Sequence, residues 1–259
     1  MRHLLLFLFL AFISLPLSAF DHGHSKLAVL LEQAVITQGA SSQVDYKWLQ
    51  DHQKRLDAYL TLLEGVSKQE FTSWDQPQQL AYLISAYNAF TLKLILSAYP
   101  EVNSIRHLGG WFSSPWEKEF FTLLGEIKTL DAIENIWLRG KYKEPRIHFA
   151  IVCASVGCPA LSNRPFLANT LEMQLEKAKM TFLGDRNKNR FDAKDNTLYL
   201  SKIFDWFEGD FITPAGSLED FVAKGVTQDR AEQRMIRNQK VKIKYLDYDW
   251  SLNKYPSNN

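Results

Sequence analysis

Asp75 to Pro100 reads DQPQQLAYLISAYNAFTLKLILSAYP, and this stretch decides the fold. Asp75 is a capping residue type, Pro77 suits a first helical turn, and Tyr99-Pro100 stops the run. Between them Leu80, Leu83, Ile84, Tyr87, Thr91, Leu94, Ile95 and Ala98 recur at the spacing of one helix face. A long core helix is therefore predicted over about residues 76–98.

Working outward toward the N-terminus, Leu27, Leu30, Leu31 and Val35 give helical spacing over residues 26–39, broken at Gly39-Ala40-Ser41-Ser42. Leu49, Leu56, Leu60 and Leu63 predict a second helix from Tyr46 to Val66. Toward the C-terminus the character changes. Phe120 to Leu124 and Ile127 to Thr129 flank a Gly125-Glu126 turn and read as a hairpin. Thr129 can cap a short helix from Leu130 to Arg139, closed by Gly140. Arg146 to Cys153 (RIHFAIVC) reads as a buried strand, and residues 166–183 as a helix. Asn189 to Leu200 holds a second hairpin turning near Lys194-Asp195-Asn196. Ser201 to Phe207 starts another helix, and Val241 to Trp250 alternates as a last strand. Helices come first and short strands later, which predicts an α+β class. N-terminal helices and the long core helix would pack on a small, mostly antiparallel sheet from the second half. No linker or repeat divides residues 20–259, so they read as a single domain.

Residues 1–19 read as a cleavable signal peptide. Met1-Arg2-His3 is a short positive region, Leu4 to Leu15 is apolar apart from Ser14, and Pro16-Leu17-Ser18-Ala19 offers small residues before a cut. The apolar run is too short to span a bilayer comfortably, and no later stretch approaches a membrane span. Export to the periplasm or the extracellular side is the implied location. Removing Arg2 with the leader leaves 29 basic against 29 acidic residues. That balance gives no basic excess for nucleic acid or anionic lipid. Hydrophobic content of 46% with 23% charged residues is that of a globular chain.

Three features can carry chemistry. Asn88 shares a helix face with Ile84, Thr91 and Ile95. A buried amide must find partners, because leaving one unsatisfied costs about 1–3 kcal/mol; it either ties the helix to a neighbouring backbone or binds substrate. Glu134 falls on the side of Leu130, Trp137 and Leu138, where a carboxylate is paired, catalytic or rotated out to solvent. The third is RIHFAIVCASVGCP, Arg146 to Pro159, which holds His148 and both cysteines of the chain. Two cysteines in an exported protein suggest one disulfide, Cys153–Cys158, across a loop that Gly157 lets turn tightly. A reactive thiol and two inert thiols are the other readings. In a regular strand His148 and Cys153 point to opposite faces and lie about 16 Å apart, so they form no dyad. Ser155 and Ser162 are candidate hydroxyl nucleophiles, though no G-x-S-x-G elbow is present.

Metal and cofactor motifs are absent from the sequence. Asp185, Asn187 and Asn189 begin like a calcium loop, but Arg190 replaces the required Gly and Asn196 the required Glu. His22 and His24 read as part of a disordered tail, and a cut after Ala19 would leave Phe20-Asp21-His22, a terminus able to hold Cu(II). No phosphate loop or dinucleotide fingerprint occurs, and no cofactor is expected.

Several blocks together resemble the bacterial branch of the family called domain of unknown function 547. They are Ala86-Tyr87-Asn88-Ala89, Tyr99-Pro100, Leu130-Asp131-Ala132-Ile133-Glu134 before Leu138-Arg139, Pro145 to Ala150, and Cys153-Ala154-Ser155 to Gly157-Cys158-Pro159. Leu200 to Phe204 and the closing Tyr248-Asp249-Trp250-Ser251-Leu252-Asn253 fit as well, so the likeness spans about residues 75–253. The family pattern carries His where this chain has Asn135. The resemblance implies an exported α+β domain and marks Asn88, Glu134, His148, Cys153 and Cys158, without implying a reaction. A looser likeness to the transglutaminase and papain-like arrangement lacks its Cys at the start of the core helix, where Ser85 and Asn88 stand.

The expected function is a hydrolase or acyl transferase using His148 with a Cys or Ser of the following loop, Asn88 orienting. The alternative is a non-catalytic envelope module with a structural Cys153–Cys158 bridge. The partner would be a small molecule or peptide.

Overall fold

The computed structural model describes residues 19–110, 113–238 and 240–256. Apart from Ala19, the leader lies outside the described residues. The fold is α+β, as the element order predicts.

Helix α1 (Ser25–Ala34) leads into a hairpin of β1 (Val35–Gln38) and β2 (Ser41–Val44), paired antiparallel. The predicted helix over 26–39 is thus too long. Val35-Ile36-Thr37 is a β-branched run that favours strand, and Gly39 takes φ +59° in the turn, a conformation glycine adopts freely. The tail reading of His22 and His24 is also corrected. Phe20 packs edge-on against Tyr82 and His24, its N–H donates to Glu70 Oε1 at 3.1 Å, and His24 is buried.

The predicted helix from Tyr46 to Val66 is two, α2 (Tyr46–Asp51) and α3 (Gln53–Glu64), followed by α4 (Lys68–Ser73). Helix α5 (Gln76–Leu96) is the core helix. Asp75 accepts from the Gln78 N–H, and the Gln78 side chain accepts in return from the Asp75 N–H. From Gln79 to Leu96 every residue of α5 but the half-buried Lys93 is buried, not one stripe alone. Ala81, Ala86 and Ala89 on the remaining faces are buried as well.

Strands β3 (Phe121–Leu123) and β4 (Glu126–Lys128) form the first predicted hairpin. Next comes a π-helical segment, Ala132–Tyr142, then a 3-10 turn, Pro145–Phe149. Helix α6 (Leu171–Leu183) precedes β5 (Arg190–Asp192) and β6 (Thr197–Leu200). Helices α7 (Ile203–Trp206), α8 (Glu208–Ala215), α9 (Leu218–Val226) and α10 (Arg230–Arg237) lead to β7 (Lys242–Tyr245).

Two expectations fail here. The strands make three small sheets, not one, although the pairing is mostly antiparallel as expected, with β7 beside β6 the parallel exception. The RIHFAIVC segment is no strand: it enters as a 3-10 turn and continues as irregular chain. Pro145 suits a first helical turn and the Glu144 side chain caps it, accepting from the Arg146 N–H. The opposed-face argument separating His148 from Cys153 falls with the strand.

Buried side chains form two clusters. The larger surrounds α5 and is built of Leu, Ile, Val, Ala and Tyr. The smaller is rich in phenylalanine, with Phe149, Phe182, Phe204, Phe211 and Phe221 packed on one another. Ala178 and Tyr248 touch both.

Candidate functional site

A cavity of about 260 Å³ opens along the seam between the clusters. Tyr87, Ile151 and Cys158 reach it from the α5 side, Ile203 and Phe207 from the phenylalanine side. Trp116, Trp206, Tyr248 and Trp250 add an aromatic wall. Trp206 stacks on Trp250, with ring centres 5.7 Å apart.

His148 is placed by the 3-10 turn and is only 3% exposed. Its Nε2 lies 2.7 Å from Asp210 Oδ2, on α8. Arg139 Nε donates to the same oxygen at 2.6 Å and Nη2 to Oδ1 at 3.2 Å. His148 and Arg139 donating to Asp210 hold its carboxyl well below the usual carboxylate range. Burial pushes His148 below the ordinary imidazole value, with Asp210 working against that shift. When neutral, the ring in this contact donates from Nε2, which makes Nδ1 the acceptor. Among the described residues Nδ1 has no hydrogen-bond partner. One face of the ring stacks on Phe207 at 4.2 Å, and the Arg139 guanidinium lies over the same phenylalanine at 4.7 Å.

Glu134 comes from the π-helical segment. That wider turn sets residues four and five apart on a common face. Asp131, Asn135 and Arg139 are accordingly linked: Asn135 Nδ2 donates to Asp131 Oδ1 at 2.6 Å, and Arg139 Nη1 donates to Asn135 Oδ1. Glu134 faces the cavity and accepts from the Tyr87 hydroxyl at 3.0 Å. Burial raises its pKa, against the Tyr87 hydrogen bond and the Arg139 charge. It is a carboxyl held protonated to higher pH than usual.

Cys153 and Cys158 form a disulfide on the cavity wall, their Cα atoms 6.3 Å apart. The C-terminal segment backs the loop: Gly157 N–H donates to Asp249 O at 2.8 Å and Val156 N–H to Ser251 O at 2.9 Å. A Cβ on Gly157 would stand 2.9 Å from the Tyr248 ring, so only glycine permits this approach. Ser155 is buried, with its hydroxyl 3.1 Å from Cys153 Sγ and 3.2 Å from the Tyr248 hydroxyl.

Asn88 belongs elsewhere. Its Nδ2 donates to Ala150 O and its Oδ1 accepts from Val152 N–H, both at 2.9 Å. Both ends of the amide are committed to backbone, and the side chain holds the segment between His148 and Cys153 in place.

Residues 71–183 match the family described as "Protein of unknown function, DUF547". Over those residues the chain is similar to that family. No curated protein and no solved structure matches the chain. The matched segment supplies Tyr87, Glu134, Arg139, His148 and both cysteines, while Phe207, Asp210, Tyr248 and Trp250 come from beyond it. Asn135 lines the cavity and ties Arg139 to Asp131.

Of the residues singled out in the sequence, Glu134, His148, Cys153 and Cys158 meet at the cavity. Ser155 sits behind the sulfurs, and Asn88 lies beneath them. Sequence reasoning missed Asp210 as the partner of His148 and Arg139 as the clamp on Asp210. Arg139 stood in a quoted motif, but nothing local marks Asp210. The calcium-like turn is structural: Asn189 is fully buried, donating to Phe182 O at 2.8 Å and accepting from Ser201 N–H at 3.1 Å. Among the described residues no three of His, Cys, Asp and Glu group to hold a metal, and no helix is long and apolar enough to cross a membrane.

Proposed function

We propose that the protein is an exported hydrolase working by general acid–base catalysis on a small acyl compound or peptide. One observation carries this reading: His148 is fixed through Nε2 by a carboxylate that Arg139 clamps, and its second nitrogen is free to take a proton. In the hydrolytic step, water attacks the acyl carbon while Nδ1 takes its proton. Protonated Glu134 gives its proton to the departing oxygen or nitrogen as the acyl bond breaks. The sulfurs are joined and the Ser155 hydroxyl is engaged with them, so water is the nucleophile in this form. A cavity of about 260 Å³ suits a small group, since drug-sized pockets begin near 300 Å³.

The leader-like start and the disulfide support location outside the cytoplasm, in keeping with an exported branch of the family. Packing of Ala178 and Tyr248 on both clusters supports one domain over residues 20–259.

The test is a panel of small esters and amides hydrolysed by the wild type, H148Q and D210N. Turnover in the wild type, lost in H148Q and reduced in D210N, is expected. Full turnover in H148Q overturns the reading. A ligand bound without turnover, gripped by the aromatic wall, would instead make the protein a binding module.

A further inference from the structure

In acid–base hydrolysis the disulfide has no chemical part, yet it lines the cavity. Its two sulfurs are unequal. Cys153 is partly exposed, whereas Cys158 is 3% exposed. Hydrogen-bond donors also converge on the buried sulfur: the Cys153 N–H at 2.9 Å, the Tyr248 hydroxyl at 3.2 Å and the Ser155 hydroxyl at 3.3 Å from Cys158 Sγ. Each hydroxyl has one hydrogen to give. In the disulfide both also lie 3.1 Å from Cys153 Sγ; a thiolate at Cys158 would draw both, with the amide as a third. Lys188 donates to the Cys158 carbonyl at 2.7 Å and pairs with Asp185 at 3.3 Å, so its charge is offset and the stabilisation rests on the donors. Donors around a sulfur stabilise its thiolate.

We propose that Cys153–Cys158 is a thiol–disulfide exchange site for small thiols entering the cavity, with Cys153 attacked and Cys158 leaving. The access and the Cys153 N–H, which donates to Cys158 Sγ, assign those roles, while the two hydroxyls serve either sulfur; exchange is faster when the leaving sulfur is the better-stabilised thiolate. The incoming thiolate attacks Cys153 Sγ. The electron pair of the S–S bond departs on Cys158, and a mixed disulfide remains on Cys153. A second thiolate attacks the outer sulfur of that mixed disulfide, releasing the small disulfide and the Cys153 thiolate, which takes a proton from water. Two small thiols are oxidised and one protein disulfide is reduced. The reverse sequence consumes a small disulfide and closes the pair. The step does not pass through His148, so it stands or fails separately from the hydrolytic reading.

Glutathione is the probe. The full chain is incubated with millimolar reduced glutathione under native conditions, and thiols are trapped by alkylation and located by mass spectrometry. Reduction of the folded wild type is expected, slowed about tenfold in Y248F, which keeps the ring packing but loses a donor. S155A should show the same direction, and it serves if Y248F proves poorly folded by circular dichroism. Oxidised glutathione should leave a stable mixed disulfide on Cys153 in C158S. A disulfide untouched until the protein unfolds, equal rates in wild type, Y248F and S155A, or no adduct on Cys153 in folded C158S would each overturn the proposal.

Discussion

Two histidines are buried to nearly the same degree, His24 at 1% exposed and His148 at 3%, and they have opposite characters. His24 sits in the N-terminal core, with Nδ1 2.6 Å from the Tyr59 hydroxyl and Nε2 buried without a partner among the described residues. Phe20 closes over it edge-on at 5.3 Å. Burial pushes its pKa down to about 4, with the Asp21 charge opposing weakly. His148 has a clamped carboxylate on one nitrogen and a cavity beside it. Burial is thus common to a packing histidine and to one set beside a cavity. The distinction lies in an oriented ionic partner on one side and room for a reactant on the other.

The widest separation is expected in turnover. H148Q should lower hydrolysis by about 10²–10⁴-fold, the usual contribution of a positioned acid or base. H24Q should leave turnover near the wild-type rate. Steady-state kinetics on both variants checks this, and equal losses would erase the contrast.

Acid unfolding probes the other side. The unfolded His24 titrates near 6.5 and the folded one near 4, so the unfolded chain takes up the proton first. The stabilisation is complete above pH 6.5 and is lost as pH falls toward 4, by about 3 kcal/mol. Urea melts across that window should show the slope, and H24L should flatten it. An unchanged slope in H24L would deny His24 its place in the core.

Asn88 sharpens the comparison from the stability side. N88A strands the Ala150 carbonyl and the Val152 N–H, and about 2–3 kcal/mol of stability should go with them. Denaturant midpoints for N88A and H148Q should separate, with H148Q the milder. G157A is expected to have the smallest effect, about 1–2 kcal/mol, as the new methyl pushes on Tyr248. Thermal melts and Tyr248 fluorescence quenching would follow it; an unshifted melt would mean that the C-terminal segment yields easily.

Helix α5 was legible because its apolar positions repeat for five turns between a capping residue and a Tyr-Pro stop. Both later hairpins were legible from their turn residues. RIHFAIVC was not, since a short apolar, β-branched run suits a strand and a buried irregular segment equally. The choice fell to what surrounds it: Asn88 ties down Ala150 and Val152, and the C-terminal segment occupies the edge of the loop. The N-terminal hairpin was hidden because Val35 continues the helical spacing of α1.

The sequence by itself determined the class of fold, the core helix, and four of the side chains that line the cavity: Glu134, His148 and the cysteine pair are visible in the order of residues. Only the tertiary structure decided their partners. Asp210 meets His148 across 62 residues of chain, and Tyr248 meets Cys153 across 95. Local patterning records which face a residue presents, not what another element brings against it. That pairing is set by how the two clusters pack and leave a cavity between them.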